Sequence, residues 1–316
     1  MVGKNPKLGI SLAFVCLLIL GFMPIISDSR PGNFDALGFA ASLSLWQLLF
    51  SLPMVFREVA SSQKGIFNAE LSPGSRRRTL TIILLTGMIF GLSTYVYVLA
   101  VDKAGPVNTA IAIQAYPLFA ILWETLFLNR RKTPLELAFT ALLLIALYYL
   151  ATEGTWRISG LSLWFLVAFA IPFLWSVAHV IIKQVLDRTP ITPAQVTFFR
   201  VLVSSIFLVG ILVAVSGPSA FLSDIVNVGF QQFAMLMGLV YYVELIIWFY
   251  AVRYIDVSVA SSITVPAPAL TMVLAIFFLG EGVQTYQVVT LAVIVSSVYG
   301  LLFAGARKRR SLEVEE

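Results

Sequence analysis

The sequence predicts an all-α membrane protein whose ten transmembrane helices form two inverted five-helix repeats. Three observations predict it. Of the 316 residues, 59% are hydrophobic and only 12% are charged, against roughly 25% charged in an ordinary soluble domain. Apolar stretches recur ten times, near 8–27, 34–56, 79–101, 106–128, 134–152, 159–182, 193–215, 229–252, 256–279 and 284–305, each close to the ~20 residues that span a bilayer. Finally, Gly87, Ala100, Val101, Pro117, Phe127, Leu128, Ala141 and Tyr148 recur 151 residues later as Gly238, Ala251, Val252, Pro268, Phe278, Leu279, Ala292 and Tyr299, the mark of an internal duplication. Five spans per copy is odd, so the second copy must cross in the opposite sense. The expected units are residues 1–155 and 156–316, joined through Glu153–Ser159 into one membrane body.

In chain order, the first helix ends at Gly21-Phe22-Met23-Pro24 before an outer loop, Ser27 to Phe34. It lacks a convincing small-residue cleavage site and is expected to stay as a permanent helix. The longest connection, Arg57 to Arg78, is polar and should be the most mobile segment. Asp102-Lys103-Ala104-Gly105-Pro106 predicts a tight turn, and Pro134 opens the fifth helix, where a missing N–H costs nothing. The second half repeats the plan, with Asp187-Arg188-Thr189-Pro190 leading to a helix near Pro193. Its ninth span, within Ala251–Glu281, is broken: Pro266 and Pro268 should strip the carbonyls of Ser262 and Thr264 of their helical partners. In hydrocarbon such carbonyls must face protein or a polar cavity, and broken helices at the midplane build transporter sites.

Charge follows the same plan. Seventeen of the 21 Lys and Arg fall on the side of the termini, among them Arg76, Arg77, Arg78 and Arg307–Arg310; Arg30, Lys103 and Arg157 fall on the other, and Arg200 lies within a helix. The positive-inside rule places both termini in the cytoplasm of a cell's inner (plasma) membrane. The basic runs are topology signals rather than nucleic-acid contacts. A single buried-segment cysteine, Cys16, excludes an intrachain disulfide. No HExxH, GxSxG, P-loop or CxxC motif occurs, so neither a metal site, a cofactor nor an enzyme activity is expected.

Ionisable groups within spans cost roughly 2.5–3.5 kcal/mol near the bilayer centre and need a reason. Glu244 shares a helix face with Tyr241 and Trp248; as a carboxylate it would bind a substrate amine, exchange a proton, or pair with Arg200. His179 lies on a face with Trp175 and Pro172, and Glu124 on the face of Gln114 and Pro117. Either could relay a proton; the bland readings are a carbonyl-bonded imidazole and a carboxylate snorkelling toward Arg130–Lys132. Arg200, two turns into its helix, reads as structural, a cytoplasmic anchor or counter-ion. Tyr97 corresponds to Trp248 and Phe90 to Tyr241 across the repeat, and with Tyr95, Trp175 and Tyr242 they could form an amphipathic or cation-binding wall. The expected substrate cavity is lined by Tyr97, Gln114, Pro117, Trp175, His179, Tyr241, Glu244, Trp248, Ser261, Thr264 and Pro268.

These features together resemble the drug/metabolite transporter superfamily, EamA-type branch. Pro268 leads to Leu279-Gly280-Glu281, Phe198-Phe199-Arg200 matches the start of the seventh helix, and Trp175 with Lys183 fits the sixth. The first half departs: Asn129-Arg130 stands where Gly-Glu is expected after Pro117. The resemblance implies a secondary transporter, an exporter of small polar or amphipathic metabolites such as amino acids. Uptake of a cationic amine is the runner-up, ahead of an intramembrane enzyme using Glu244 and His179 or a scaffold that only binds. The partners expected are a small-molecule substrate and the lipid bilayer, with monomer and homodimer both open.

Overall fold

In a computed structural model the protein is described at residues 6–30, 35–61, 65–68, 72–116, 118–119, 122–123, 133–158, 161–255 and 257–315. These are predominantly helical, with no strand among them. The helices are α1 (Pro6–Asp28), α2 (Ala36–Ala60), α3 (Pro73–Ala104), α4 (Pro106–Ile113), α5 (Pro134–Ala151), α6 (Leu163–Arg188), α7 (Pro193–Ser216), α8 (Pro218–Val226), α9 (Val228–Tyr254), α10 (Val257–Thr264), α11 (Ala267–Leu274) and α12 (Thr285–Glu315). Nine helical stretches among the described residues are long and apolar enough to cross a membrane, counting Val259–Leu279 as one. The protein is thus a multi-pass membrane protein. Side chains such as Leu84, Phe277 and Phe303 are exposed along these stretches, as lipid contact requires.

Local chemistry sets the helix starts. Thr133 and Thr192 cap α5 and α7, each accepting from the N–H three residues on while Glu136 or Gln195 reaches back to the cap N–H. Proline follows both caps, where its fixed φ suits a first turn. Helix α8 was not expected from hydropathy. It is short, buries no residue and interrupts what reads as a loop between two spans.

The fourth and ninth spans break at corresponding points. After α4 the chain turns at Gln114–Ala115, with three-residue bonds from Gln114 N to Ile111 O (3.0 Å) and Leu118 N to Ala115 O (2.9 Å). Residues 265–266 turn in the same way 151 positions later. There Pro266 offers Ser262 no N–H, and its carbonyl takes Val265 N at 3.4 Å instead. The rest of the fourth span, including Pro117 and Glu124, lies largely or wholly outside the described residues.

Packing partners exchange between the halves. Helix α3 packs on α6 and α7, while α9 packs on α1 and α2; α4 meets α6 and α11 meets α1; α2 pairs with α7 and α5 with α12. The repeated glycines serve this exchange. A Cβ on Gly87 would lie 2.5 Å from Val203 Cβ on α7, and one on Gly238 would lie 2.7 Å from Trp46 Cβ on α2. Ser204 Oγ donates to the Gly87 carbonyl (2.8 Å) and Ser205 Oγ to that of Ser44 (2.8 Å). At one end of the bundle Arg30 bonds Asp102 at 2.7 Å, and at the other Thr192 Oγ1 donates to Glu58 at 2.7 Å and Lys183 Nζ to Val252 O at 2.5 Å.

Candidate functional site

A cavity of about 750 Å3, counting its open mouth, lies among α1, α3, α4, α6, α7, α9, α10 and α11. Its wall contains Tyr97, Gln114, Trp175, His179, Tyr241, Glu244, Trp248, Ser261, Thr264 and Pro268. The structure therefore brings together every described residue expected at the substrate site. Tyr95 and Tyr242 do not line it, and Tyr242 OH instead faces Met54 Sδ at 3.8 Å.

The helix breaks expose polar groups here. Ser261 and Thr264 sit in the last turn before the 265–266 break, and Thr264 Oγ1 donates to Ser261 O (2.8 Å). Gln114 stands in the matching turn, its Nε2 3.4 Å from Ala110 O. Trp175 is fixed by donating Nε1–H to Ser93 Oγ (3.0 Å), which itself donates to Phe90 O (2.9 Å). Its ring and that of Tyr241 each lie 6.4 Å from Tyr97.

His179 is enclosed by rings: Phe90 at 5.1 Å, Trp248 at 5.2 Å and Tyr116 at 6.0 Å between centroids. Its Nδ1 lies 3.3 Å from Tyr116 OH, a contact that holds the imidazole orientation.

Arg200, read from the sequence as an anchor near the membrane surface, is buried in the cavity wall. Its Cζ stacks 3.7 Å from the Phe90 centroid and 5.8 Å from that of Tyr241. Glu244 belongs to the same wall, yet no ion pair within 4.0 Å joins the two among the described residues. Cys16 Sγ reaches the Glu244 carbonyl (3.7 Å), tying α1 to α9 behind the carboxylate. Five buried polar atoms in the wall have no hydrogen-bond partner: Arg200 Nε and Nη1, Tyr97 OH, Tyr241 OH and Trp248 Nε1. Sequence reasoning had Phe90 in a possible cation-binding wall but did not pair it with Arg200, and it missed Tyr116 as the histidine's partner. An arginine within a span, with Glu244 as a possible partner, was the available signal.

Cavity residues also correspond across the offset of 151. Pro24 answers Trp175, Phe90 Tyr241, Tyr97 Trp248, Ala110 Ser261, Ile113 Thr264 and Tyr116 Ala267, and all twelve line the wall.

The sequence matches the model of the EamA-like transporter family twice, over residues 7–152 and 162–303. The chain belongs to the EamA-like transporter family. A solved crystal structure of another protein is similar over 95% of this chain and 99% of that one, with a TM-score of 0.65 at 16% identity, a likeness of fold. No curated protein matches the sequence. Both matched stretches contribute residues to the cavity at the broken spans of this member of the drug/metabolite transporter superfamily.

Proposed function

We propose that this protein is a secondary transporter of the inner membrane, exporting small polar or amphipathic metabolites such as amino acids by alternating access about the central cavity. The carrying observation is that the cavity is built from corresponding residues of the two halves at the two helix breaks. Residues 1–155 and 156–316 act as the two repeats of one ten-span unit. Their inversion is supported by end contacts: α6 ends beside the end of α9, whereas α1, its counterpart, begins there. Two such halves can lean either way about an axis through the cavity. The excess of Lys and Arg on the side of the termini supports a cytoplasmic location for both ends. Glu244 is the candidate coupling carboxylate, with His179 second; Glu124, also considered, lies outside the described residues.

Uptake of a cationic amine draws on Glu244 standing among Tyr241, Trp248 and Tyr97. Purified protein in liposomes, loaded with radiolabelled amino acids or with monoamines and given a pH gradient, separates the readings. Gradient-dependent amino-acid flux supports export, amine-only flux supports the second reading, and absence of any flux overturns transport.

A further inference from the structure

We infer that the cavity recognises a carboxylate, with Arg200 as its anchor and Tyr97, Tyr241 and Trp248 as supporting donors. The inference rests on the cavity being the transport site and deepens that reading to a substrate class. A buried polar group left without a hydrogen bond costs about 1–3 kcal/mol, and more when charged. Here the four residues that carry five such atoms, Arg200, Tyr97, Tyr241 and Trp248, line one cavity. The three nitrogens are donors only, and the two phenols are able to donate. What the wall lacks is therefore an acceptor-rich group. Nε and Nη1 lie on different edges of the guanidinium, and each is a charged donor of the kind that suits an anionic acceptor such as a carboxylate. The Arg200 guanidinium rests on the face of Phe90 with the Tyr241 ring beside it, in the wall of the cavity.

Glu244 narrows the class. Its carboxylate shares the wall with Arg200 without pairing to it. A dianionic phosphate would face that negative charge, whereas a molecule with an acid group at one end and an ammonium at the other meets both residues. Access is consistent with this. Arg200 also lines a narrow crevice together with Ile82 and Val185. Those two residues in turn line a surface cavity of about 390 Å3, rimmed by Arg78 and Arg188. Cationic groups thus stand on either side of Ile82 and Val185, Arg200 within the bundle and Arg78 and Arg188 at the surface.

The test uses the full chain in detergent, with binding followed by quenching of tryptophan fluorescence and by the shift in melting temperature. Two matched series serve as probes: phenylalanine, phenylalaninamide, phenethylamine and 3-phenylpropionate; and leucine, leucinamide, isoamylamine and 4-methylpentanoate. The acids should bind at least about tenfold more tightly than their amides, as expected when buried donors lose a charged acceptor. Arg200→Gln should bring that ratio within about twofold, and Arg200→Lys should retain part of it. Should Arg200→Gln not fold, Tyr241→Phe, which keeps the ring, should weaken acid binding about three- to tenfold and leave amide binding unchanged. The inference is overturned if amides or amines bind as well as the acids, if the ratio survives Arg200→Gln, or if no acid in either series binds. Acid binding that depends on Arg200 but yields no liposome flux keeps the anchor and overturns transport. Flux without acid preference does the reverse.

Discussion

The glycine that lets α9 lie against α2 gives a stringent test of the packing that frames the cavity. A Cβ at Gly238 would sit 2.7 Å from Trp46 Cβ and 2.8 Å from the Leu43 carbonyl oxygen. Ordinary contact begins near 3.4 Å, so α2 and α9 would have to part by roughly 0.6–0.7 Å, and one obstacle is backbone that cannot rotate away. Overpacking of this kind costs about 1–3 kcal/mol, offset by about 0.5–1 kcal/mol for replacing a mid-helix glycine with alanine. Gly210 on α7 is the control: a Cβ there meets nothing within 4 Å, leaving only the gain. The two variants should therefore differ by roughly 2 kcal/mol, which at ~2–4 °C per kcal/mol separates their melting temperatures by about 4–8 °C. Melting of purified Gly238→Ala and Gly210→Ala, followed by size-exclusion chromatography after heating, measures this. A Gly238→Ala protein that melts at or above Gly210→Ala would refute the close α2–α9 approach.

Three further outcomes are expected. A one-unit pH gradient stores about 1.4 kcal/mol per proton, enough for about tenfold accumulation. Glu244→Gln should reduce accumulation to unity and, because the substrate's ammonium loses its partner, also weaken exchange at equal pH; full gradient-driven accumulation would remove Glu244 from the coupling role. On α8, outside the spans, burial pushes the Asp224 carboxyl above its usual range, and Asp35 adds to the shift. The folded state then holds that proton more tightly than the unfolded chain, so stability should fall as pH rises through the carboxylate range. Asp224→Asn should raise the melting temperature slightly at pH 7 and leave it unchanged near pH 4. Finally, cysteines placed at the exposed positions Ser72 and Ser219, in a Cys16→Ala background, should react differently with an impermeant maleimide on intact cells, Ser219→Cys labelling and Ser72→Cys not.

The spans and the helix breaks were legible because each depends on chemistry within about 20 residues. Hydropathy marks the first, and Pro266 and Pro268 mark the second by removing N–H groups. The cavity-facing residues of α3, α9 and α10 were legible through helical periodicity and the offset of 151, which pairs Tyr97 with Trp248. Arg200 was not. Its position two turns into the helix suggested a cytoplasmic anchor or counter-ion, and its ring neighbour, Phe90, lies 110 positions earlier on another helix. Only packing decides whether a guanidinium two turns into a span turns outward to phosphate or inward to a ring. Helix α8 escaped for another reason: at nine residues with no buried face, it leaves no mark on a spanning-length average.

The duplicated backbone and the unequal chemistry carried on it fit one mechanism. Glu244, Arg200 and His179 correspond by position to Ser93, Leu49 and Asp28, so the repeat supplies two matching frames while most of the charge belongs to the second. A ligand shifts the balance between two states only by binding them differently, and a symmetric wall would hold it alike in both. The groups proposed to hold it are also joined to the contacts that must move. Arg200 lies one turn before Val203 and Ser204, which rest on Gly87 of α3. Glu244 lies less than two turns after Gly238, which rests on α2. When either contact slides, the guanidinium or the carboxylate is displaced within about one or two helical turns, roughly 5–11 Å along the axis. Occupation of the cavity by a bipolar molecule would then bridge α7 and α9 and resist that sliding until both halves move together.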